Sequence, residues 1–192
     1  YEEALKDYQK AYKIQPDTHY MLGNIVNTKM YICIWDELTE QIDELLLKIN
    51  KGDKVIGPFA ALTITDDPAL QKKATEIYAN DKFPISDSLP KIGRYPKHKK
   101  IRIGYFSADF REHPVSTLTA ELYEIHDRSQ FEVYAFSYGP DTKDKMNLRI
   151  KAGVDHFYDV RMMPHKDLVL LSRSLEIDIA IDLGGYTHHS RA

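Results

Sequence analysis

After Lys100 the chain alternates between two kinds of segment, and that alternation limits its fold more than any other feature of the 192 residues. IRIGYFS (101–107) is a β-rich run, HPVSTLTAELYEIHD (113–127) has a helical texture, and FEVYAFSY (131–138) is again β-rich. DKMNLRIKAGV (144–154) predicts a helix, HFYDV (156–160) a short strand, HKDLVLLSRSLE (165–176) a helix and IDIAIDL (177–183) a last strand. Strands alternating with helices of ten to fifteen residues build βαβ units, hence a parallel, doubly wound sheet. In such a sheet ligands gather at the carboxyl ends of the strands. That places Ser107–Pro114, Tyr138–Asp141, Val160–Met163 and Gly184–His189 around one crevice.

The first half has a different texture. In YEEALKDYQKAYKIQP the residues Ala4, Tyr8, Ala11 and Ile14 recur at spacings of three and four, so one apolar stripe runs along a helix that Pro16 ends. Residues 17–50 predict two further helices, with Asp17 or Thr18 as a cap and a break at Trp35-Asp36. Ile42, Leu45, Leu46 and Ile49 form a stripe expected to be core. Gly52, Gly57 and Pro58 predict a turn, and Asp66-Asp67-Pro68 starts another helix running to about Asn80. Pro84, Pro90 and Pro96 then mark an extended linker closed by the basic run 97–100, expected to be a solvated end. The expected organisation is a helical region over 1–88, a linker over 89–100 and an α/β lobe over 101–192.

Composition excludes several classes. Lys and Arg number 26 against 29 Asp and Glu, a net charge of −3, and the pI of about 6.3 lacks the basic excess of a dedicated nucleic-acid binder. Cys33 is the one cysteine, so neither a disulfide scaffold nor a Cys-rich zinc site is available. No apolar run approaches the roughly 18–20 residues of a membrane helix, and no signal-peptide pattern opens the chain. The expectation is a reduced, cytoplasmic protein. A start at Tyr1 without an initiator Met is what a piece of a longer protein would show.

Two strand ends carry the candidate chemistry. In SADFREHPVS, Pro114 suits the first turn of a helix, which puts His113 at its N-cap. There the helix dipole disfavours imidazolium, leaving a neutral ring with one nitrogen free to accept a proton, as a general base requires. In DLGGYTHHSRA, Gly184-Gly185 permits a sharp turn or a close approach to a ligand, and polar Tyr186 and Thr187 follow. Asp182 is a carboxylate in an apolar strand and needs either a partner or a role; a solvated strand end is the alternative. His188 and His189 diverge as neighbours and have no Cys or Glu at ligand spacing, so no metal site is expected. The chain has no GxxxxGK[ST] loop, no GxGxxG turn after a strand, no GxSxG elbow and no HExxH.

Ala4, Tyr8, Ala11 and Pro16 match the second helix of a tetratricopeptide (TPR) repeat. Together with RIGYFSADFREHPVS, FEVYAFSYGPD and IDLGGYTHHSRA, taken in order and spacing, they give a chain that resembles the O-linked N-acetylglucosamine transferase/SPINDLY family of TPR-bearing protein glycosyltransferases. The resemblance implies a TPR-like helical part followed by a Rossmann-like lobe, the N-terminal lobe of a two-lobed GT-B enzyme. It implies an inverting, metal-independent transfer from a nucleotide sugar, UDP-GlcNAc first among the donors, to a Ser or Thr hydroxyl, with no cofactor. His113 then corresponds to the histidine that projects into the sugar site and has been considered as the base, next to Pro114. Gly185, Tyr186 and Thr187 line the sugar and acceptor side, and Asp182 is assigned a proton passed on through water. Acceptor proteins or peptides are held by the repeats, and neither nucleic acid nor membrane is a partner.

The family holds its nucleotide mainly in a second lobe, which includes a lysine beside the diphosphate. The chain stops at Ala192 before any such lobe, so this piece is expected to be inactive alone. A GDP-fucose-dependent transferase of the same family remains an alternative, as does a non-catalytic adapter with an inert Rossmann-like module.

Overall fold

The computed structural model describes residues 1–85, 89–187 and 191. Two compact units divide it, Tyr1–Ser86 and Asp87–Ala192.

The first unit is helical: α1 (Glu2–Ile14), α2 (Met21–Tyr31), α3 (Leu38–Lys51), α4 (Pro58–Ala61) and α5 (Pro68–Lys82). Its core joins Leu22, Val26, Leu38, Leu45, Ile49, Ile56, Ala61 and Ala74, and each large aliphatic among them contributes about 1.5–3 kcal/mol by leaving water. The expected Leu45 and Ile49 stripe is at its centre. On α1 the buried residue is Leu5 instead, and Ile14 lies 77% exposed, because the helix packs along the Leu5–Tyr12 side. Pro58 opens a single helical turn where a plain turn was expected. The start of α2 also differs. Neither Asp17 nor Thr18 caps it; Tyr20 does, in the left-handed region at φ 63° with no side-chain bond. Its amide donates to Lys54 O, and Gly23 N donates to Val55 O at 2.9 Å. A neighbouring segment thus takes the amides a capping side chain would hold. Gly23 is required there, since a Cβ would sit 2.9 Å from Ile56 Cα. Asp67 caps α5 by accepting Ala69 N.

The second unit runs β1 (Ile101–Ser107), α6 (Pro114–Ile125), β2 (Phe131–Ser137), α7 (Lys145–Gly153), β3 (His156–Asp159), α8 (His165–Ser174) and β4 (Ile179–Asp182). All pairings are parallel, in the order β3-β2-β1-β4, with Ile101 opposite Phe131 and Phe106 opposite Asp182. Alternation divides the sheet into two faces. Ile103, Tyr105, Val133 and Ala135 pack with Ala120 and Tyr123 of α6 and Ile150 of α7. Tyr134 and Phe136 face Val160 and Leu168 on the α8 side. The chain steps outward from β1 to β2 to β3, then returns through α8 to place β4 on the other side of β1. That reversal is a topological switch point, and it lies between β1 and β4.

The basic run after Pro96 is not a free end. The His98 side chain is 12% exposed, with Nε2 2.6 Å from Glu176 Oε2 and Nδ1 3.1 Å from Asp178 Oδ2. Arg173 also donates to Pro90 O at 2.5 Å, so the stretch containing Pro90 and His98 belongs to the second unit.

Candidate active site at the carboxyl edge of the sheet

Loops from β1 and β4, the two strands flanking the switch point, carry the candidate residues. His113 is the N-cap of α6, as expected, and Pro114 is the first helical residue. The cap is made by the ring itself: Nδ1 accepts the backbone N–H of Val115 at 3.2 Å. A nitrogen that accepts carries no proton, so a neutral His113 holds its proton on Nε2. No nitrogen is therefore free to accept while the cap is made, in contrast to the sequence expectation. The Asp109 carboxylate stands 3.7 Å from Nδ1 and also receives Arg111 at 3.3 Å. Asp109 is itself fastened, its amide donating to Ser107 Oγ at 3.0 Å and its carbonyl accepting the Ser116 hydroxyl.

The turn after β4 is built by Asp182. Its Oδ1 accepts Gly184 N and its Oδ2 accepts Gly185 N, both at 2.9 Å. Gly185 adopts φ 52°, a left-handed conformation that costs glycine little. Thr187 closes the turn, its amide and hydroxyl both donating to Gly184 O, at 3.1 and 2.6 Å. Tyr186 is 37% exposed at the tip. The carboxylate that sequence reasoning assigned to proton transfer is thus occupied with backbone amides. His113 and Asp182 also line different depressions. His113 sits with Pro114, Thr117 and Met146 in one, and Asp182 with Phe106, Tyr138 and Arg191 in the other. His188 and His189 lie outside the described residues.

Two residues to which the sequence assigns no role complete this edge. Tyr138 follows β2, its amide donating to Ser107 O at 3.1 Å. Burial pushes its hydroxyl up to about 12, the Asp182 and Asp109 carboxylates add to that, and Arg191 opposes it. Arg191 lies over the Tyr138 ring, with the guanidinium carbon 5.9 Å from the centroid. Gly139 follows, and there a Cβ would collide with the Ala108 carbonyl; the β1 and β2 loops touch through their backbones.

The histidine-capped helix after β1 and the glycine turn after β4 thus place polar groups at the carboxyl edge beside the switch point, where open α/β sheets bind ligands. Comparison with known proteins gives the family. Residues 82–192 match glycosyl transferase family 41, and the chain belongs to that family. It is 27% identical over 183 residues to a probable UDP-N-acetylglucosamine–peptide N-acetylglucosaminyltransferase, SEC, of Arabidopsis thaliana, a match covering 87% of this chain and 19% of the relative. Over 94 residues it is 30% identical to the UDP-N-acetylglucosamine–peptide N-acetylglucosaminyltransferase of Caenorhabditis elegans, covering 48% of this chain and 8% of that protein. A solved structure of an O-GlcNAc transferase mutant from Thermobaculum terrenum aligns over 94% of this chain and 35% of its own, with a TM-score of 0.56 and 24% identity, and shows the same fold. The chain therefore spans less than a fifth of either relative's length. Among the described residues no helix is long and apolar enough to cross a membrane.

Proposed function

We propose that this chain is part of a cytoplasmic protein O-glycosyltransferase that moves GlcNAc from UDP-GlcNAc to Ser or Thr hydroxyls, with inversion and without a metal or other cofactor. The observation that carries the reading is the placement of the HP and GYT segments of a family 41 chain on the two strands that flank the switch point. One wall of a sugar cleft needs those features: hydrogen-bond donors at a helix start and a backbone turn that admits close approach. In the observed conformation His113 presents Nε2–H, so it acts as a donor that orients an oxygen of the sugar or the acceptor. Acting as the base would require Nδ1 to release Val115. Asp182 shapes the Gly184–Thr187 turn, and Gly185, Tyr186 and Thr187 form the surface facing the substrates. The helical unit takes the acceptor polypeptide; a groove along α1 and α2 offers Ala4, Tyr8, Asn24 and Asn27 to it.

The test uses the complete parent protein, a panel of labelled nucleotide sugars and a mixed lysate. Label is expected on protein from UDP-GlcNAc, and lost in His113→Ala. Label from GDP-fucose alone would replace the donor. No label from any donor, with the protein folded, would make the parent an adapter.

A further inference from the structure

The loop that presents His113, between β1 and α6, is held from outside by the start of α7. Asn147 Nδ2 donates to Phe110 O at 2.6 Å, and Asp144 Oδ2 accepts Glu112 N at 3.0 Å. These bonds fall on either side of Arg111, so the stretch directly before His113 is fixed at two points. Asp144 also caps α7, its Oδ1 accepting Asn147 N at 2.8 Å. Asn147 is 1% exposed, and an amide side chain at that depth needs hydrogen bonds to offset what it loses on leaving water. Phe110 is equally buried, its ring against Tyr123 and Phe157. An apolar side chain at 147 would avoid the cost of burying an amide but would take this donor from the Phe110 carbonyl.

We propose that Asn147 and Asp144 are positioning residues for the transfer reaction: by holding Phe110 O and Glu112 N, they fix the loop that aims His113 Nε2–H at the substrates. This rests on the transferase reading above. The ring's bond to Val115 N–H sets its rotation, but that bond moves with the loop and the start of α6. Ser107 and Ser116, which hold Asp109, belong to the two elements that the loop joins. The start of α7 is the fixed point outside them, rooted in the core through Ile150. A shift of the loop by about 1 Å is enough to lower turnover up to about 10²-fold.

Asp144→Ser and Asn147→Ala, made in the complete parent with and without His113→Asn, test it. Serine caps a helix about as well as aspartate, so Asp144→Ser keeps the start of α7 while its single oxygen leaves Glu112 N unbound. Hydrogen exchange over 109–113 is expected to rise in both variants while that of β1 stays unchanged, whether or not the protein turns over. Turnover is expected to fall between about 10- and 10²-fold, with the KM for the nucleotide sugar within about threefold. In the His113→Asn background the same substitutions are expected to cost less than about threefold more, because residues acting through one group are not additive. Unchanged exchange, faster exchange with normal turnover, or an equal loss with and without His113 would each overturn the proposal. If the wild-type parent transfers no sugar, the transferase reading fails and this role falls with it, whereas exchange still decides whether α7 holds the loop. Should Asn147→Ala not fold, Asp144→Ser decides by the same criteria.

Discussion

The Nδ1 of His113 and the backbone N–H of Val115 are hydrogen-bonded at 3.2 Å, and this one bond assigns the ring two roles that mutation can separate. The capping role belongs to Nδ1 and the substrate-facing role to Nε2. Asparagine is as good an N-cap as any residue and can replace the first without the second, whereas alanine replaces neither.

His113→Asn is therefore expected to keep the stability of the α/β unit, and His113→Ala to lose about 0.5–2 kcal/mol. Both should cut transfer by the parent enzyme by about 10²–10³-fold, the usual effect of removing one well-placed donor. Denaturant unfolding and initial rates measure the two separately. Wild-type turnover in His113→Asn would leave His113 as a cap only.

Asp182 receives two amides, from Gly184 and Gly185, and the type of substitution distinguishes a turn-builder from a proton relay. Asp182→Asn keeps one acceptor oxygen and cannot take a proton, while Asp182→Ala keeps none. Turnover in Asn is expected to lie between wild type and Ala. Equal loss in both variants would return the proton-transfer role to this carboxylate.

How much of this was legible in the sequence depends on how far apart the deciding atoms are. The strands at 101–107, 131–137 and 179–182 and the cap at His113 follow from residues within one or two turns of each other, so periodicity and Pro114 announce them. Asp182 needed only its neighbours two and three residues on, yet its residue type also suited another role. The start of α2 is not legible locally, because its amides are taken by Lys54 and Val55, more than thirty residues away. Tyr138 and Arg191 lie inside quoted stretches, but nothing beside them in sequence announces their contacts: the Val160 carbonyl to which Arg191 donates is 31 residues distant. Nothing near His98 in sequence points away from solvent, because its carboxylate partners lie 78 and 80 residues further along.

Gly139 tests the backbone contact between the β1 and β2 loops. A Cβ there would strike the Ala108 carbonyl, which is backbone and has no rotamer through which to escape. Gly139→Ala is expected to cost about 1–3 kcal/mol as the loops separate. Because Ala108 adjoins Asp109, and through it His113, transfer should fall as well. A variant with unchanged urea midpoint would show that the two loops separate without cost.

The His98 contacts give the α/β unit a pH dependence of defined sign. Both ring nitrogens face carboxylates, Glu176 and Asp178, so the ring makes both bonds only as imidazolium. Glu176 and then Asp178 raise its pKa above the usual value, against burial and the nearby Arg102. A raised folded value means the stabilisation is complete below the unfolded pKa of about 6.5 and is lost as pH climbs through the folded value. Burial pushes Asp178 up, but the Arg102 N–H and His98 more than offset it, leaving it below the usual value; its contribution is lost as pH falls below about 4. His126 has the opposite sign, since burial and Arg128 lower it, so its contribution is lost as pH falls below the unfolded value of about 6.5 and partly masks His98. The informative quantity is thus the stability of wild type minus that of His98→Gln, measured by denaturant unfolding from pH 5 to 9, in which the His126 contribution cancels. This difference is expected to be greatest near pH 5 to 6 and to shrink as pH rises above about 6.5. A difference that is flat across this range, or that grows toward alkaline pH, would mean that His98 is not charged between its two carboxylates.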